Sequence, residues 1–273
     1  MSAILRFPDF KDKAFTLSYD DGMEADNRLS DVFWRYGVKA TFNLCSSFIG
    51  KSGRMTPGDV RERIIERGFE LACHGHRHYS LGAVDSGVAA YDAMLGRSEL
   101  EREFKIIVKG MAYANGSYNA ETVKMLEHSG IEHCRTTVST EKFDIPENLL
   151  AMPATCHHKN PRLMELAKRF IEEPHRSYYW AKKPRLFYVW GHAYEFDRDN
   201  NWELLDELLG YLSGRDDVWY ATVGRICEYL AAYRRLRFSA DGKIIHNPSA
   251  IPVFVYNFDK NIMIPAGGTV YTD

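Results

Sequence analysis

Three histidines within five residues are the strongest chemical signal in this chain. They lie in His74-Gly75-His76-Arg77-His78, directly after a short apolar segment of the kind that forms a buried strand. His74 and His78 are four positions apart, so both can reach one metal ion if the loop coils into about one helical turn. Isolated histidines usually make ordinary hydrogen bonds, but three so close together at a strand end favour a metal site.

Two adjacent carboxylates, Asp20 and Asp21, end another predicted strand, and Gly22 permits a tight turn after them. Consecutive side chains on an extended chain point in different directions, so one carboxylate can bind a cation while its neighbour faces a reacting group. By itself, Asp-Asp-Gly could equally be a polar turn or a helix cap. With His74 and His78, Asp21 completes a set of two histidines and one carboxylate, which leaves positions open for water and substrate.

A further histidine, His192, follows the apolar segment at residues 186–191 and is a candidate general acid. The unperturbed pKa of histidine is roughly 6.5, so its side chain can carry a proton near neutrality. The alternative is a solvated histidine after a buried strand. Its place at a strand end, like those of the other two motifs, favours the catalytic interpretation.

Short apolar strands alternate with helical patterns along most of the chain, which indicates parallel pairing with helices outside. Functional side chains of such proteins collect at the carboxyl ends of the strands, so all three motifs would meet at one edge. Seven predicted strands favour a barrel over an open doubly wound sheet; they lie at residues 15–19, 39–45, 69–73, 108–113, 133–138, 186–190 and 218–221. The predicted helices lie near residues 29–36, 57–67, 120–128, 161–172 and 202–212.

The pattern changes after a helix that ends near Leu236. Asp241-Gly242 predicts a hairpin turn, and residues 253–256 and 262–264 predict short strands. We therefore expect a barrel domain at residues 1–236 and a small β extension at residues 237–273 packed on it.

Charge and cysteine usage limit the classes of function. The chain has 35 Lys and Arg against 37 Asp and Glu, which is unlike the basic footprint of a nucleic-acid binder. The sequence contains no run of 18 apolar residues that would predict a membrane span. It also contains no apolar segment near the start that would predict export. The five cysteines form no CxxC pair, which is typical of a reducing compartment. The expectation is a cytoplasmic protein that binds neither nucleic acid nor membrane, of unknown oligomeric state.

The motifs resemble those of the polysaccharide deacetylase (NodB-like) family. Leu17-Ser18-Tyr19-Asp20-Asp21-Gly22 is similar to the family's T-F-D-D-G, and the histidine segment is similar to H-S/T-x-x-H. Val189-Trp190-Gly191-His192 is similar to L-x-x-H, and Met111-Ala112-Tyr113-Ala114-Asn115-Gly116 falls where R-x-P-Y-G is expected. The resemblance covers roughly residues 12–225 and implies a distorted (β/α)7 barrel.

The resemblance also implies roles for individual residues. Asp20 would be the general base and His192 the general acid. Asp21, His74 and His78 would hold one divalent ion, with Zn2+ favoured over Co2+, Ni2+ or Mn2+. The backbone N–H of Asn115 would donate to the oxyanion, with Tyr113 beside it as a substrate-binding residue.

The segment at residues 111–116 departs from the family pattern. Ala112, Ala114 and Asn115 replace the family's arginine, proline and tyrosine, and no D-x-x-D-W segment occurs in residues 136–153. Because the family's arginine often orients the catalytic aspartate, another residue must supply that support here. Arg135, on the strand after the next helix, is the candidate.

The expected activity is removal of acetyl groups from an N- or O-acetylated carbohydrate by a metal-activated water. One alternative is a related barrel hydrolase that cleaves a C–N bond in a cyclic ureide or imide. Some relatives of that kind lack the metal histidines, whereas His74 and His78 are both present here. A second is a non-haem Fe(II) oxygenase, which the alternating helical pattern argues against. A third is a catalytically silent carbohydrate-binding relative, against which Asp20 and His192 count.

A second group of possible ligands is Cys156, His157, His158 and His175. Adjacent histidines rarely converge on one ion, so the sequence does not favour a second metal site there.

Overall fold

The computed structural model describes residues 3–173 and 183–272, so His175 lies outside the described residues. The strands are β1 (Ile4–Arg6), β2 (Lys13–Asp20), β3 (Ala40–Leu44), β4 (Glu70–Cys73), β5 (Gly110–Ala112), β6 (His133–Ser139), β7 (Met152–Ala154), β8 (Cys156–His157), β9 (Arg185–Gly191), β10 (Val218–Tyr220), β11 (Arg237–Phe238), β12 (Ile244–His246), β13 (Val253–Asn257), β14 (Lys260–Ile264) and β15 (Thr269–Tyr271). The helices are α1 (Ala25–Arg35), α2 (Pro57–Asp59, continued by a π-helical turn over Val60–Ile65), α3 (Ser86–Phe104), α4 (Ala120–His128), α5 (Leu163–Glu172), α6 (Tyr194–Asp199), α7 (Trp202–Leu212) and α8 (Val223–Arg234).

The main sheet is parallel throughout and has the strand order β7-β6-β5-β4-β3-β2-β9-β8, with β10 also paired to β2. Its two end strands, β7 and β8, are separated along the chain by Thr155 alone. The sheet therefore curls into a nearly closed barrel with helices around it, and the predicted NodB-like (β/α) barrel is confirmed.

Strand β2 shows how alternation builds the two faces of this barrel. Phe15, Leu17 and Tyr19 are fully buried in a hydrophobic core that also contains residues of α1. Ser18 and Asp20 alternate with them, are also buried, and point to the opposite, inner face. The inner face of β2 is thus polar, and it delivers a carboxylate to the carboxyl end of the strand.

The opposite end of the barrel is closed by the first turn of α8. The backbone N–H of Gly224 and the hydroxyl of Thr41 each donate to Glu70 Oε2 at 2.7 Å, and His133 Nε2 lies 2.9 Å from Glu70 Oε1. A carboxylate at a helix amino terminus is favourable because it accepts unpaired N–H groups. Both oxygens of the Glu70 carboxylate are thus paired within the fold, so this residue contributes to structure.

The last strands form two small antiparallel sheets, β1-β13-β14 and β11-β12-β15. The amino-terminal strand β1 belongs to the first of these, with Leu5 opposite Val255. The predicted hairpin at Asp241-Gly242 connects β11 and β12, which are paired. The division into two domains at residue 236 stays a prediction.

Sequence patterns located some elements well and missed others. The predicted bounds of α4 and α7 agree with the structure, and Asn119 caps α4 by accepting from the Thr122 N–H. The longest helix, α3, was not predicted because its buried face carries small residues, Ala89, Ala93 and Gly96, rather than a stripe of large apolar ones. Strands β1, β7 and β8 have two or three residues each and were also missed. Among the described residues, no helix is long and apolar enough to cross a membrane.

Candidate active site

Strand β2 ends at Asp20, so Asp21 is the first residue after the strand. Asp20 is the last residue of the strand, whereas Asp21 has φ +84°, and its N–H donates to the Asn43 carbonyl at 3.0 Å. Gly22 follows with φ +61°, and a Cβ there would lie 2.9 Å from Leu44 Cγ. The reversal after Asp20 therefore needs glycine, and it turns the two carboxylates in different directions.

The histidine loop after β4 is held by a buried carboxylate, Asp92 on α3. The backbone N–H groups of His76 and Arg77 donate to Asp92 Oδ2 and Oδ1 at 3.1 and 2.8 Å. Gly75 has φ +83°, and a Cβ there would collide with the Asp92 carboxylate. With His78 also in the left-handed region at φ +60°, the loop coils so that His74 and His78 approach each other.

The donor atoms of Asp21, His74 and His78 all lie within 4.8 Å of one another. Asp21 Oδ1 is 3.5 Å from His78 Nε2 and 3.8 Å from His74 Nε2. Two ligand atoms each about 2.05 Å from a tetrahedral ion lie about 3.3 Å apart, so the spacing suits a single small cation.

Hydrogen bonding leaves the correct nitrogen of His74 available. Its Nδ1 lies 2.8 Å from the Ala112 carbonyl oxygen, which can only accept, so Nδ1 carries the proton. Burial, opposed by the charges of Asp20 and Asp21, lowers the pKa of His74. The neutral ring then presents a lone pair at Nε2, as a metal ligand requires. The residues present therefore fit a divalent ion.

The middle histidine of the loop points elsewhere. His76 Nδ1 lies 2.8 Å from the Ser46 hydroxyl and 2.9 Å from Glu99 Oε2. It fastens the loop to α3 and is not part of the ligand group.

Asp20 is buried beside this group, with its Oδ2 4.0 Å from His74 Nε2. Asn43 Nδ2 donates to Asp20 Oδ1 at 2.9 Å, and Arg135 Nη2 donates to Asp20 Oδ2. Burial alone would raise the pKa of Asp20, but the charge and the hydrogen bond of Arg135 lower that pKa. Asp20 is therefore held as a carboxylate.

Arg135 reaches Asp20 from the strand next to the one that carries the family's arginine. In the sheet, Arg135 on β6 is the register partner of Ala112 on β5, so both residues face the barrel interior. The small side chain of Ala112 leaves space that the buried guanidinium occupies, 4.3 Å from the ring of Trp190. The sequence-based expectation that Arg135 supports Asp20 agrees with this contact.

His192 follows β9 and pairs with Glu195 in the first turn of α6. Its Nδ1 lies 3.2 Å from Glu195 Oε2. Burial would lower the pKa of His192, but the hydrogen bond to Glu195 and the charges of Asp20 and Asp21 raise it. Its ring therefore favours the protonated form.

The adjacent histidines His157 and His158 converge on the same carboxylate. Their Nε2 atoms lie 3.1 and 3.4 Å from Glu195 Oε2. The donor atoms of His157, His158 and Glu195 also fall within 4.8 Å of one another, so the two adjacent histidines converge on one carboxylate, and the expectation that they hold no second metal ion stays a prediction.

The residues predicted to contact substrate lie after β5. Asn115 has φ +56°, and its Nδ2 donates to the Ser80 hydroxyl at 3.0 Å. Tyr113 is buried, stacks on Tyr118, and donates its hydroxyl to the Leu150 carbonyl at 2.8 Å. Because that hydroxyl is already paired, a contribution of Tyr113 to substrate binding would have to come from its backbone.

Sequence reasoning missed Asn43, Asp92 and Glu195. Asn43 is the register partner of Asp20, a relation that only the sheet reveals. Asp92 lies on the helix that was not predicted. Glu195 stands three residues after His192, a spacing that places both side chains on one side of a helical turn, and it could have been found by that signal.

Fold and site together define an α/β barrel with an Asp-His-His ligand group at the carboxyl ends of its strands. Residues 8–134 match the family model described as polysaccharide deacetylase. The resemblance drawn from the motifs is confirmed over this segment, which is similar to the polysaccharide deacetylases.

One curated protein is similar to part of this chain. A bifunctional xylanase/deacetylase from Pseudobutyrivibrio xylanivorans is 34% identical over 67 residues, which are 24% of this chain and 10% of that protein. The match thus spans about a tenth of the length of that curated relative.

Solved structures show the fold. A protein assigned as a polysaccharide deacetylase from Mycobacterium smegmatis superposes with a TM-score of 0.62 at 18% identity, covering 86% of this chain and 96% of that one. A CE4 family pseudoenzyme from Bacillus anthracis superposes with a TM-score of 0.53 at 14% identity, covering 82% and 68% of the two chains. Since one neighbour is a pseudoenzyme, activity has to be argued from the residues of this chain.

Proposed function

We propose that this protein is a metal-dependent hydrolase that removes acetyl groups from an N- or O-acetylated carbohydrate. The observation that carries the proposal is the convergence of Asp21, His74 and His78 beside the buried Asp20 carboxylate. A silent binding protein would not need a charged carboxylate held in the barrel interior by Arg135 and Asn43.

Asp21, His74 and His78 would hold the ion, and two nitrogens with one oxygen suit Zn2+ best, with Co2+, Ni2+ or Mn2+ as alternatives. When bound, a divalent ion supplies a Lewis acid for the acyl oxygen and lowers the pKa of a water from about 15.7 to about 7.

Asp20 is the proposed general base. It stays ionised through its contacts with Arg135 and Asn43, and it lies next to His74 rather than among the ligand atoms. We propose that the Asp20 carboxylate takes a proton from the attacking water.

His192 is the proposed general acid, and its contact with Glu195 favours the protonated ring. Its Nε2 would give a proton to the departing amine or alcohol, which an amide needs most because an amine anion cannot depart. The Asn115 N–H is the proposed donor to the oxyanion, a contribution of about 3–4 kcal/mol for one good donor.

The test is acetate release by protein stripped of metal and reloaded with Zn2+. N-acetylated and O-acetylated sugars are compared with a cyclic ureide. We expect acetate release that depends on reloading, and Asp20→Asn should bind the ion and lose hydrolysis by a factor of about 10²–10⁴.

Two results would overturn the proposal. Cleavage of the ureide without acetate release would favour the related C–N hydrolase. Sugar binding with no hydrolysis in the loaded wild type would favour the silent relative.

A further inference from the structure

Glu195 is a buried carboxylate at the centre of three imidazole rings. Its Oε2 lies 3.1 Å from His157 Nε2, 3.2 Å from His192 Nδ1 and 3.4 Å from His158 Nε2. Arg198 Nη2 lies 3.4 Å from the other oxygen, Oε1. The three rings come from the ends of two neighbouring strands, β8 and β9, so the cluster is part of the barrel edge.

A cluster of this composition has two physical explanations, a second metal site or a hydrogen-bonded network. The far nitrogen of His157 decides between them. The backbone N–H of Lys159 donates to His157 Nδ1 at 3.1 Å. Because that group can only donate, Nδ1 must be the bare nitrogen, and the proton of the neutral ring is on Nε2. A protonated Nε2 cannot bind a metal, but it can donate to Glu195.

His158 fits the same explanation. It is 2% exposed and stacks between Tyr19 and Phe196, with ring centroids 5.7 and 4.2 Å away. Burial lowers its pKa to about 3, so the ring is neutral. Its Nδ1 has no hydrogen-bond partner among the described residues, and an unpaired acceptor there leaves the proton at Nε2, facing Glu195.

Glu195 is therefore a carboxylate that nitrogens of three imidazole rings face. Burial would raise its pKa, but the hydrogen bonds of His157 and His192 hold that pKa well below the ordinary value. Its position is also fixed, since His157 is itself oriented by the Lys159 backbone.

We propose that His157 and His158 are positioning residues that act through Glu195 on His192. The order of contacts runs from the Lys159 N–H to His157, then to Glu195, then to His192 Nδ1. With Nδ1 committed to Glu195, Nε2 is the nitrogen of His192 that gives up a proton. The inference rests on the proposed function for its catalytic meaning, although the network of contacts does not.

The network should matter most for substrates with poor leaving groups. A misplaced His192 still leaves the ligand group and Asp20 intact, so attack on the acetyl group remains possible. An amine cannot depart without a proton, whereas a phenolate can. Loss of the network should therefore lower kcat for an N-acetyl sugar more than for an aryl acetate, with little change in KM.

The experiment uses zinc-loaded protein with 15N-labelled histidine. The variants are Glu195→Gln, His157→Phe and His158→Phe, and His246→Phe is the matched control because His246 lies on β12, outside the cluster. NMR of the imidazole nitrogens reports the tautomer of His192 directly. At a pH above the pKa of His192, wild type and control should show the neutral ring with its proton on Nδ1, and the three variants should show a mixture of tautomers.

The second measurement is the activity of the same samples on an N-acetyl sugar and on an aryl acetate. We expect kcat on an N-acetyl sugar to fall about 10–100-fold in Glu195→Gln, the range for an outer partner of a site residue. The phenylalanine variants should fall by less. Losses on aryl acetate should be smaller in every case.

The outcomes separate this inference from the proposed function. A changed His192 tautomer in protein that never releases acetate supports the network and contradicts only the function. An unchanged tautomer in all three variants overturns the network even if wild type is an active deacetylase. Two zinc ions per chain, with one lost in His157→Phe, would also overturn it, because the cluster would then be a metal site.

Discussion

Two groups at the same edge of the barrel have the same composition, two histidines and a carboxylate, and different chemistry. In Asp21-His74-His78 the nitrogens lie 3.5 and 3.8 Å from the carboxylate oxygen, and in His157-His158-Glu195 they lie 3.1 and 3.4 Å from it. Distances alone make both groups candidates for a metal.

The far side of one imidazole ring in each group, His74 and His157, separates the two groups. His74 Nδ1 faces the Ala112 carbonyl, which forces a lone pair at Nε2, whereas His157 Nδ1 faces the Lys159 N–H, which forces a proton at Nε2. A histidine can therefore be assigned as a metal ligand when its far ring nitrogen faces a hydrogen-bond acceptor, and not when that nitrogen faces a donor.

The largest effect should come from the first group. Asp21→Asn and His74→Ala should each lose the divalent ion, because each removes a ligand atom, while His157→Phe should keep one ion per chain. Hydrolysis should fall in Asp21→Asn and His74→Ala by more than about 10–100-fold, the loss expected when a residue that only hydrogen-bonds to a ligand is removed. Metal analysis after dialysis, with acetate release on the same samples, measures both. Retention of the ion in Asp21→Asn and loss of it in His157→Phe would reverse the comparison.

The second prediction concerns the pH dependence that Glu195 gives to His192. The pKa of His192 is raised, so the acid is present below that pKa and is lost as pH rises through it. The rate should fall on the alkaline side, at a pH above the ordinary histidine pKa of roughly 6.5. His192→Ala should remove that limb and cut hydrolysis of an N-acetyl sugar by about 10²–10⁴. Glu195→Gln should move the limb to lower pH, and a limb that stays in place in both variants would belong to another group.

Much of this site was predictable because its chemistry lies in short segments at strand ends. Asp20, Asp21, His74 and His78 are close in sequence to apolar strands whose parallel pairing brings them together. The spacing of three residues from His192 was a signal for Glu195, but the sequence does not show that the rings of His157 and His158 also surround it. The convergence of His157 and His158 was missed for the same reason.

Arg135 was predictable in part. The absence of an arginine at position 112 indicated that support for Asp20 must come from elsewhere, and its place on the strand after the next helix made Arg135 a candidate. Its route to Asp20 depends on the register of β5 and β6, which the sequence does not specify. The helix α3 was missed outright because small residues on a buried face do not produce the apolar stripe that predicts a helix.

The third prediction uses the register of Ala112 and Arg135. Arg135→Met leaves the buried Asp20 carboxylate without its cation, which typically costs about 3–5 kcal/mol of stability. Activity should fall about 10–100-fold, as for other outer partners, while the ion is retained. The exchange Arg135→Ala with Ala112→Arg returns the arginine to the family's position at nearly constant volume and should recover part of both losses. Urea unfolding and acetate release measure them, and an exchange no better than Arg135→Met would show that position 112 cannot reach Asp20.

The smallest effect should be the acid sensitivity that His158 gives to folding. Its pKa is about 3 in the folded protein, against roughly 6.5 for an unperturbed ring, so the unfolded chain binds its proton first as pH falls. Stability from this residue is therefore fully present above about pH 6.5 and is lost as pH falls from there towards 3, by at most about 1.4 kcal/mol per pH unit. The free energy of unfolding, measured with urea, should fall between pH 6.5 and pH 5 in wild type. That fall should be about 2 kcal/mol larger than in His158→Phe, which cannot take up the proton. An equal pH dependence in the two proteins would mean that His158 is charged in the folded state, and the second group would then lose its neutral ring.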